Sequence, residues 1–202
     1  MDKPIARGDQ ARAQIIQAAY RLFVSQGYHG TSMRQIAQEA GIALGGIYNH
    51  FPNKDALFAG VLRAYHPLME MLPEMESIQA DSTEKFVRAA AHQFIAHLEG
   101  RQEFLNLMFV EFVEFKAVHV PALMADFMPM AFALAQRFEA KPGELRPMPA
   151  PVRVRAFLGL FFSYVLTDIA LHNFPGYDQS FQGLDQFVDI FLNGILAKGT
   201  VA

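Results

Sequence analysis

Apolar residues recur along this chain at the spacing of helix faces, and no segment sustains the alternation of a strand. Ile15, Ala18, Ala19, Leu22 and Phe23 follow the i, i+3, i+4, i+7, i+8 rule, and Gly27 ends that helix. Ser32-Met-Arg-Gln35 then has the form of a capping box, in which Ser and Gln each satisfy a free backbone donor. The helix it opens turns Met33, Ile36, Ala37 and Ala40 inward and stops at Gly41. A short helix follows with Ile47 and Phe51 on one face. After Pro52, Asn53 caps a helix carrying Leu57, Phe58, Val61, Leu62 and Tyr65, which Pro67 and Pro73 kink or end. Further helices are predicted at about 82–99, 103–116, 121–139, 150–173 and 183–198, the last three separated by turn-rich segments at 141–151 and 173–183.

The expectation is an all-α chain of about nine helices. An N-terminal three-helix helix-turn-helix domain at residues 1–54 precedes a larger helical ligand-binding and dimerisation domain at 55–202. Ala40-Gly41-Ile42 supplies the small residue, the flexible glycine and the inward aliphatic of a helix-turn-helix corner.

Charge sharpens this division. Residues 1–54 hold six basic and three acidic side chains, whereas 55–202 hold eleven basic and seventeen acidic ones, so the net charge of −3 conceals a basic head. The body holds 17 of the 19 Phe and eight of the 10 Met. Cysteine is absent, which excludes disulfides, thiolate metal sites and a Cys nucleophile and favours a reducing cytoplasm. The N-terminus is too polar for a signal peptide. The longest uncharged stretch in the apolar second half, Ala156 to Thr167, is too short to span a bilayer. A cytoplasmic protein without membrane contact is expected.

Opposite Ile47 and Phe51, the short helix presents Leu44, Gly45, Tyr48 and Asn49, with His50 and Lys54 at its far end. Small residues at the start of such a helix allow close approach to bases in a major groove. Tyr48 and Asn49 offer hydrogen bonds to phosphate or base edges, Lys54 offers charge, and Arg34 reaches out from the preceding helix. The run from Gly27 to Leu57, GYHGTSMRQIAQEAGIALGGIYNHFPNKDAL, resembles the DNA-binding segment of the TetR (tetracycline-repressor) family of transcriptional regulators. The shared parts are the Gly-Tyr after the first helix, the T-S-x-R-x-I-A helix, the A-G-I turn, and Y-x-H-F followed by K-x-x-L.

The resemblance implies a homodimer whose short helices enter successive major grooves of a palindromic operator, most simply as a repressor released by a small hydrophobic effector. By position it implies that Thr31 and Ser32 cap and touch phosphate, that Arg34 sits near bases, and that Tyr48, His50 and Lys54 grip the backbone. Asn49 falls at a variable contact position, and Arg7 adds a contact from the N-terminal arm. Relatives often carry Lys at Leu44 and Thr or Ser at Gly46. With Gly46 costing about 1 kcal/mol in helix propensity and Ala43 a poor N-cap, the recognition helix is expected to be soft without DNA.

In the body, Met108, Phe109, Phe112 and Phe115 with interleaved Glu111 and Glu114 read as an amphipathic core helix or as a wall for an apolar effector. On the effector reading Met108, Phe109 and Phe112 join Phe161, Phe162, Tyr164 and the polar Asp168. Phe187, Ile190, Phe191, Gly194 and Ile195 make a stripe on the last helix wider than one neighbour covers, which suggests a two-fold interface. Enzyme motifs are absent and no cofactor is implied. Asp168 and His172 have the spacing of two metal ligands but lack a third, so no metal is expected. The competing reading is an all-helical interaction adaptor that does not bind DNA.

Overall fold

A computed structural model describes residues 7–137, 145–172, 174, 175, 177 and 183–195. Their regular structure is ten α-helices: α1 (Arg7–Gly30), α2 (Met33–Glu39), α3 (Leu44–Tyr48), α4 (Lys54–Tyr65), α5 (Leu68–Ser77), α6 (Thr83–Leu98), α7 (Gln102–Val113), α8 (Val120–Arg137), α9 (Ala150–Leu171) and α10 (Leu184–Ile195). The all-α expectation holds. The helix count rises because Pro67 separates α4 from α5. Proline disfavours helical backbone at the residue before it, and His66 is extended at ψ 123°. Pro73 is accommodated inside α5. The expected ends of the helices at 121–139 and 183–198, and most of both turn-rich segments, lie outside the described residues.

Local sequence explains the helix starts. The Ser32 capping box is complete: Ser32 Oγ accepts from Gln35 N at 3.3 Å, and Ser32 N donates to Gln35 Oε1 at 2.8 Å. Asn53 Oδ1 accepts from Ala56 N at 2.7 Å to open α4, and Ser82 Oγ accepts from Lys85 N at 3.2 Å to open α6. Gly27, at φ +75°, breaks the last turns of α1, as expected of a glycine in the left-handed region.

The chain divides into two compact units. The first comprises Met1–His66 and Arg101–Ala125, the second Pro67–Gly100 and Asp126–Ala202. The boundary expected at residue 54 therefore does not separate them. The reason lies in the packing: Leu57, Phe58, Val61 and Leu62 of α4 and Phe104 and Leu107 of α7 complete the core begun by Ile15, Ala19, Phe23, Ile36 and Ile47. The core shared with α4 and α7 buries more apolar surface than α1, α2 and α3 offer one another.

In the second unit, Phe94 of α6, Phe157 and Phe161 of α9 and Phe191 of α10 form a ring cluster with centroids 4.6–6.1 Å apart. Arg88 of α6 bonds Asp189 of α10 at 2.5 Å and Glu84 at 2.9 Å. His97 of α6 meets Glu74 of α5 at 2.8 Å.

α9 requires a correction. It runs 22 residues with a mean hydropathy of 1.6 over an 18-residue window, enough by length and composition to cross a membrane. The uncharged interval between Arg155 and Asp168 underestimated it, because charged residues near its two ends do not interrupt the helix. Most of that window lies outside the chain's own core.

His66, at the end of the first unit, stands edge-on to Phe104 at 5.2 Å, and burial pushes its imidazole down to about 4. Below about pH 6.5 the unfolded chain takes up a proton that the folded chain refuses. The stability at stake is therefore present above pH 6.5 and lost as pH falls toward 4. In thermal melts, His66→Gln is expected to flatten the decline in midpoint across this window; an unchanged decline would remove His66 as its cause.

Candidate nucleic-acid interface

The α2–α3 corner is built as a helix stop. Gly41 sits at φ +68°, where its N–H reaches Gln38 O at 3.1 Å and Ile42 N–H reaches Ala37 O at 3.0 Å. α3 then spans five residues, its N-cap Ala43 making no side-chain bond. It is positioned by anchors rather than by its own propensity: Ile47 is fully buried and Phe51 is 3% exposed.

Fixing those two residues turns the others outward. Leu44, Gly45, Tyr48 and Asn49 are exposed, and Gly46 and His50 are partly so. Ser32 and Arg34 of the preceding segment are exposed as well. The arrangement offers two hydroxyls, an amide, an imidazole and a guanidinium on and beside one helix, with two glycines that keep the backbone bare. Such a set is suited to phosphate and base edges.

Two expected contacts change character. Thr31 is 2% exposed, and its hydroxyl donates inward to Gly27 O at 2.9 Å and Leu22 O at 3.2 Å. It ties the end of α1 together from inside and does not face a phosphate. Lys54 Nζ donates to Tyr28 O and Thr31 O, both at 2.8 Å, and lies 4.1 Å from the Tyr28 ring centroid. Burial pushes its ammonium below the usual lysine range, while Glu114 opposes that shift. Lys54 thus ties the start of α4 to the α1–α2 turn, and one of its three N–H groups remains for another acceptor. The side chain of Arg7 lies outside the described residues.

Three supports of this surface escape a reading of helix faces. The Arg12 guanidinium lies 5.0 Å from the centroid of the Phe51 ring. Gly60 lets that ring lie close: a Cβ there would stand 2.9 Å from Phe51 Cε1. The signal for it was a glycine inside an otherwise regular helix. Gly60→Ala is expected to displace Phe51, destabilise the first unit by about 1–3 kcal/mol and misplace the exit of α3. Thermal melts and duplex-binding titrations would check this, and wild-type values in both would refute it. The third support is the corner between α7 and α8, where Glu111, fully buried, accepts from His119 N and meets His119 Nδ1, both at 2.8 Å.

The expected effector residues fall on both units. Met108 packs against the first core, while Phe109 and Phe112 are about half exposed. In the second unit Phe161 is fully buried among phenylalanine rings, Phe162 is half-buried, and Tyr164 stands edge-on to Phe187 at 5.1 Å. Asp168 accepts the Tyr177 hydroxyl, which pushes that phenol up to about 12. A shallow cleft of about 420 Å³ beside Asp9, Arg12 and Tyr65 contains none of these residues.

The stripe on α10 also divides. Phe191 and Ile195 are buried within their own chain, because with Val188 and Leu192 they face α6 and α9. Ile190, 62% exposed, and Gly194 face outward, and Phe187 is intermediate. Only this outward part is available to a second subunit.

The fold and the exposed short helix define a helix-turn-helix protein. Residues 15–61 match the family described as bacterial regulatory proteins, tetR family. The transcriptional activator FasR of Mycolicibacterium smegmatis is 30% identical over 102 residues, covering 50% of this chain and 46% of FasR. The chain spans about half the length of the curated relatives it matches. Two solved structures share the fold across most of the chain. The fatty acid degradation regulator FadR of Bacillus halodurans has a TM-score of 0.70 at 17% identity, covering 94% of this chain and 97% of its own. FadR of Bacillus subtilis in complex with stearoyl-CoA has a TM-score of 0.65 at 19% identity, covering 90% and 98%.

Proposed function

We propose that this protein is a DNA-binding transcriptional regulator that acts as a homodimer on a palindromic operator and is released by a small hydrophobic molecule. The observation that carries the reading is the exposed face of α3. Ile47 and Phe51 are locked into the core while Leu44, Tyr48, Asn49 and His50 stand outward beside Arg34 and Ser32. The basic balance of residues 1–54 supports the same surface. Repression is the simpler mode, since occupying an operator blocks transcription without further contacts, although FasR is named an activator.

The homodimer accounts for the apolar surface left on α9 and α10. Val152 and Leu158 of α9 and Ile190 of α10 are exposed. Pairing with a symmetry mate covers them without a membrane. An apolar effector fits the Phe- and Met-rich composition of the body and the stearoyl-CoA bound by the FadR relative. Met108, Phe109, Phe112, Phe161, Tyr164 and Asp168 are the candidates to contact it.

Salt-dependent binding to duplex DNA tests the reading. A regulator loses affinity steeply as salt rises, whereas an interaction adaptor shows no duplex binding at any salt. Within the surface, Tyr48→Phe is expected to weaken all duplexes alike. Asn49→Ala is expected to change the preference between duplexes, by about 1–3 kcal/mol at the base it reads. Equal losses on every duplex would reassign Asn49 to the backbone.

A further inference from the structure

The α7–α8 corner is more elaborate than a connection requires. Lys116 and Ala117 lie at φ +54° and +62°, consecutive non-glycine residues in the left-handed region. Ala117 N–H bonds Glu111 O at 3.0 Å, and the Glu111 carboxylate holds both the backbone and the ring of His119. The other side of the His119 ring faces the first turn of α4, with Nε2 3.4 Å from Asp55 Oδ2. Phe115 of the corner packs on Phe58 one turn further along α4, centroids 5.0 Å apart, and on Tyr28 at 4.9 Å. The corner thus bears on α4 and on the end of α1, the two elements that Lys54 joins.

A neutral imidazole has one N–H and so donates to one carboxylate only. With Nδ1–H given to buried Glu111, the bare Nε2 lone pair would oppose the Asp55 carboxylate. The imidazolium donates to both. We propose that Glu111, His119 and Asp55 form a proton-dependent clasp: protonated His119 fastens the first turn of α4 to the α7–α8 corner, and deprotonation frees it. His119 and Glu111 are positioning residues in this scheme, since they act on the DNA-reading face through α4. The inference rests on the DNA-binding reading above.

The charged groups around the ring are Glu111 on α7 and Glu114 just past its end, Asp55 and Lys54 on α4, His29 at the end of α1, and Lys116 in the corner. Glu114 is already paired with His29 at 2.5 Å. Burial opposes protonation of His119, but the bond and charge of Glu111, then those of Asp55, outweigh it and leave the imidazole raised. A raised histidine contributes stability that is full below about pH 6.5 and lost as pH rises through its folded value. The clasp is closed in acid and opens toward alkaline pH.

The test compares wild type with Asp55→Asn, whose amide N–H donates to the lone pair of a neutral imidazole and so keeps the clasp closed at any pH. Amide protection at residues 54–57, corrected for intrinsic exchange, is expected to fall from about pH 6 to about pH 8.5 in wild type and to stay level in Asp55→Asn. Affinity for a duplex enriched by the wild-type protein from a random library is expected to fall about tenfold further in wild type than in the variant, the size of a typical coupling between two sites. His29 and His50 are common to both proteins and cancel in the comparison. Parallel pH profiles in either measurement would overturn the clasp. Failure to enrich any duplex would instead overturn the DNA-binding reading, leaving amide protection to decide the clasp by itself.

Discussion

Phe58→Ala is expected to cost the first unit about 3–5 kcal/mol, a large share of the stability of a unit this size. The side chain is fully buried, and its ring meets Phe23 at 5.6 Å, Tyr28 at 5.2 Å, Phe115 at 5.0 Å and His119 at 6.2 Å. No single neighbour can move into the space, because those rings arrive from α1, from its terminal turn and from the α7–α8 corner. Duplex binding is expected to vanish together with the cooperative thermal transition of this unit. Tyr48→Phe, on an exposed ring, should reduce binding with the melt unchanged. If Phe58→Ala melts like wild type, the ring cluster is not what holds α4 against α1.

Ile190→Asp is the second large effect, and it is expected in assembly rather than in folding. Ile190 is 62% exposed, so the charge meets solvent in a single chain and the monomer should fold normally. In a two-fold interface the same charge faces its own copy and is desolvated twice. Sedimentation is expected to show a 22.6 kDa species in place of the dimer. Affinity for a duplex carrying two half-sites is expected to fall about a hundredfold or more, since two linked heads gain from each other's binding. A variant that stays dimeric would place the interface away from the outward face of α10.

The fold was legible in the sequence wherever a rule acts between near neighbours. The Ser32–Gln35 box, the Asn53 cap, the Gly41 stop and the inward pair Ile47 and Phe51 all follow from spacings of three or four residues. So did the outward set on α3, since fixing two anchors on a helix fixes the directions of the rest. What was missed depends on contacts distant in the chain. Lys54 was expected at phosphate because its position suggested charge beside a helix start. Nothing local reveals that Tyr28 O and Thr31 O, 26 and 23 residues back in the chain, lie within its reach. Thr31 likewise turns inward, to carbonyls at the end of α1. Glu111 was read as one edge of an amphipathic helix, yet its partner is eight residues away, across a left-handed turn that no composition rule foretells. On α10 the stripe was visible, but its division between core and outward faces is set by where α6 and α9 lie.

If the proposed function holds, the two glycines of α3 bear on how the protein divides between operator and random DNA. No heavy atom lies within 4 Å of a Cβ built at Gly45 or Gly46, so alanine fits at either without a clash within the chain. Each replacement would stiffen the unbound helix by about 1 kcal/mol. If the helix orders only on DNA, that gain is the same for every sequence it meets, because it comes from the protein's own backbone. Affinity would rise for the operator and for random DNA together, and the excess of random sites would absorb much of the increase. On the proposed function, the paired glycines would then set how strongly the protein is titrated by random DNA, and changing them would retune its free concentration without altering a base contact.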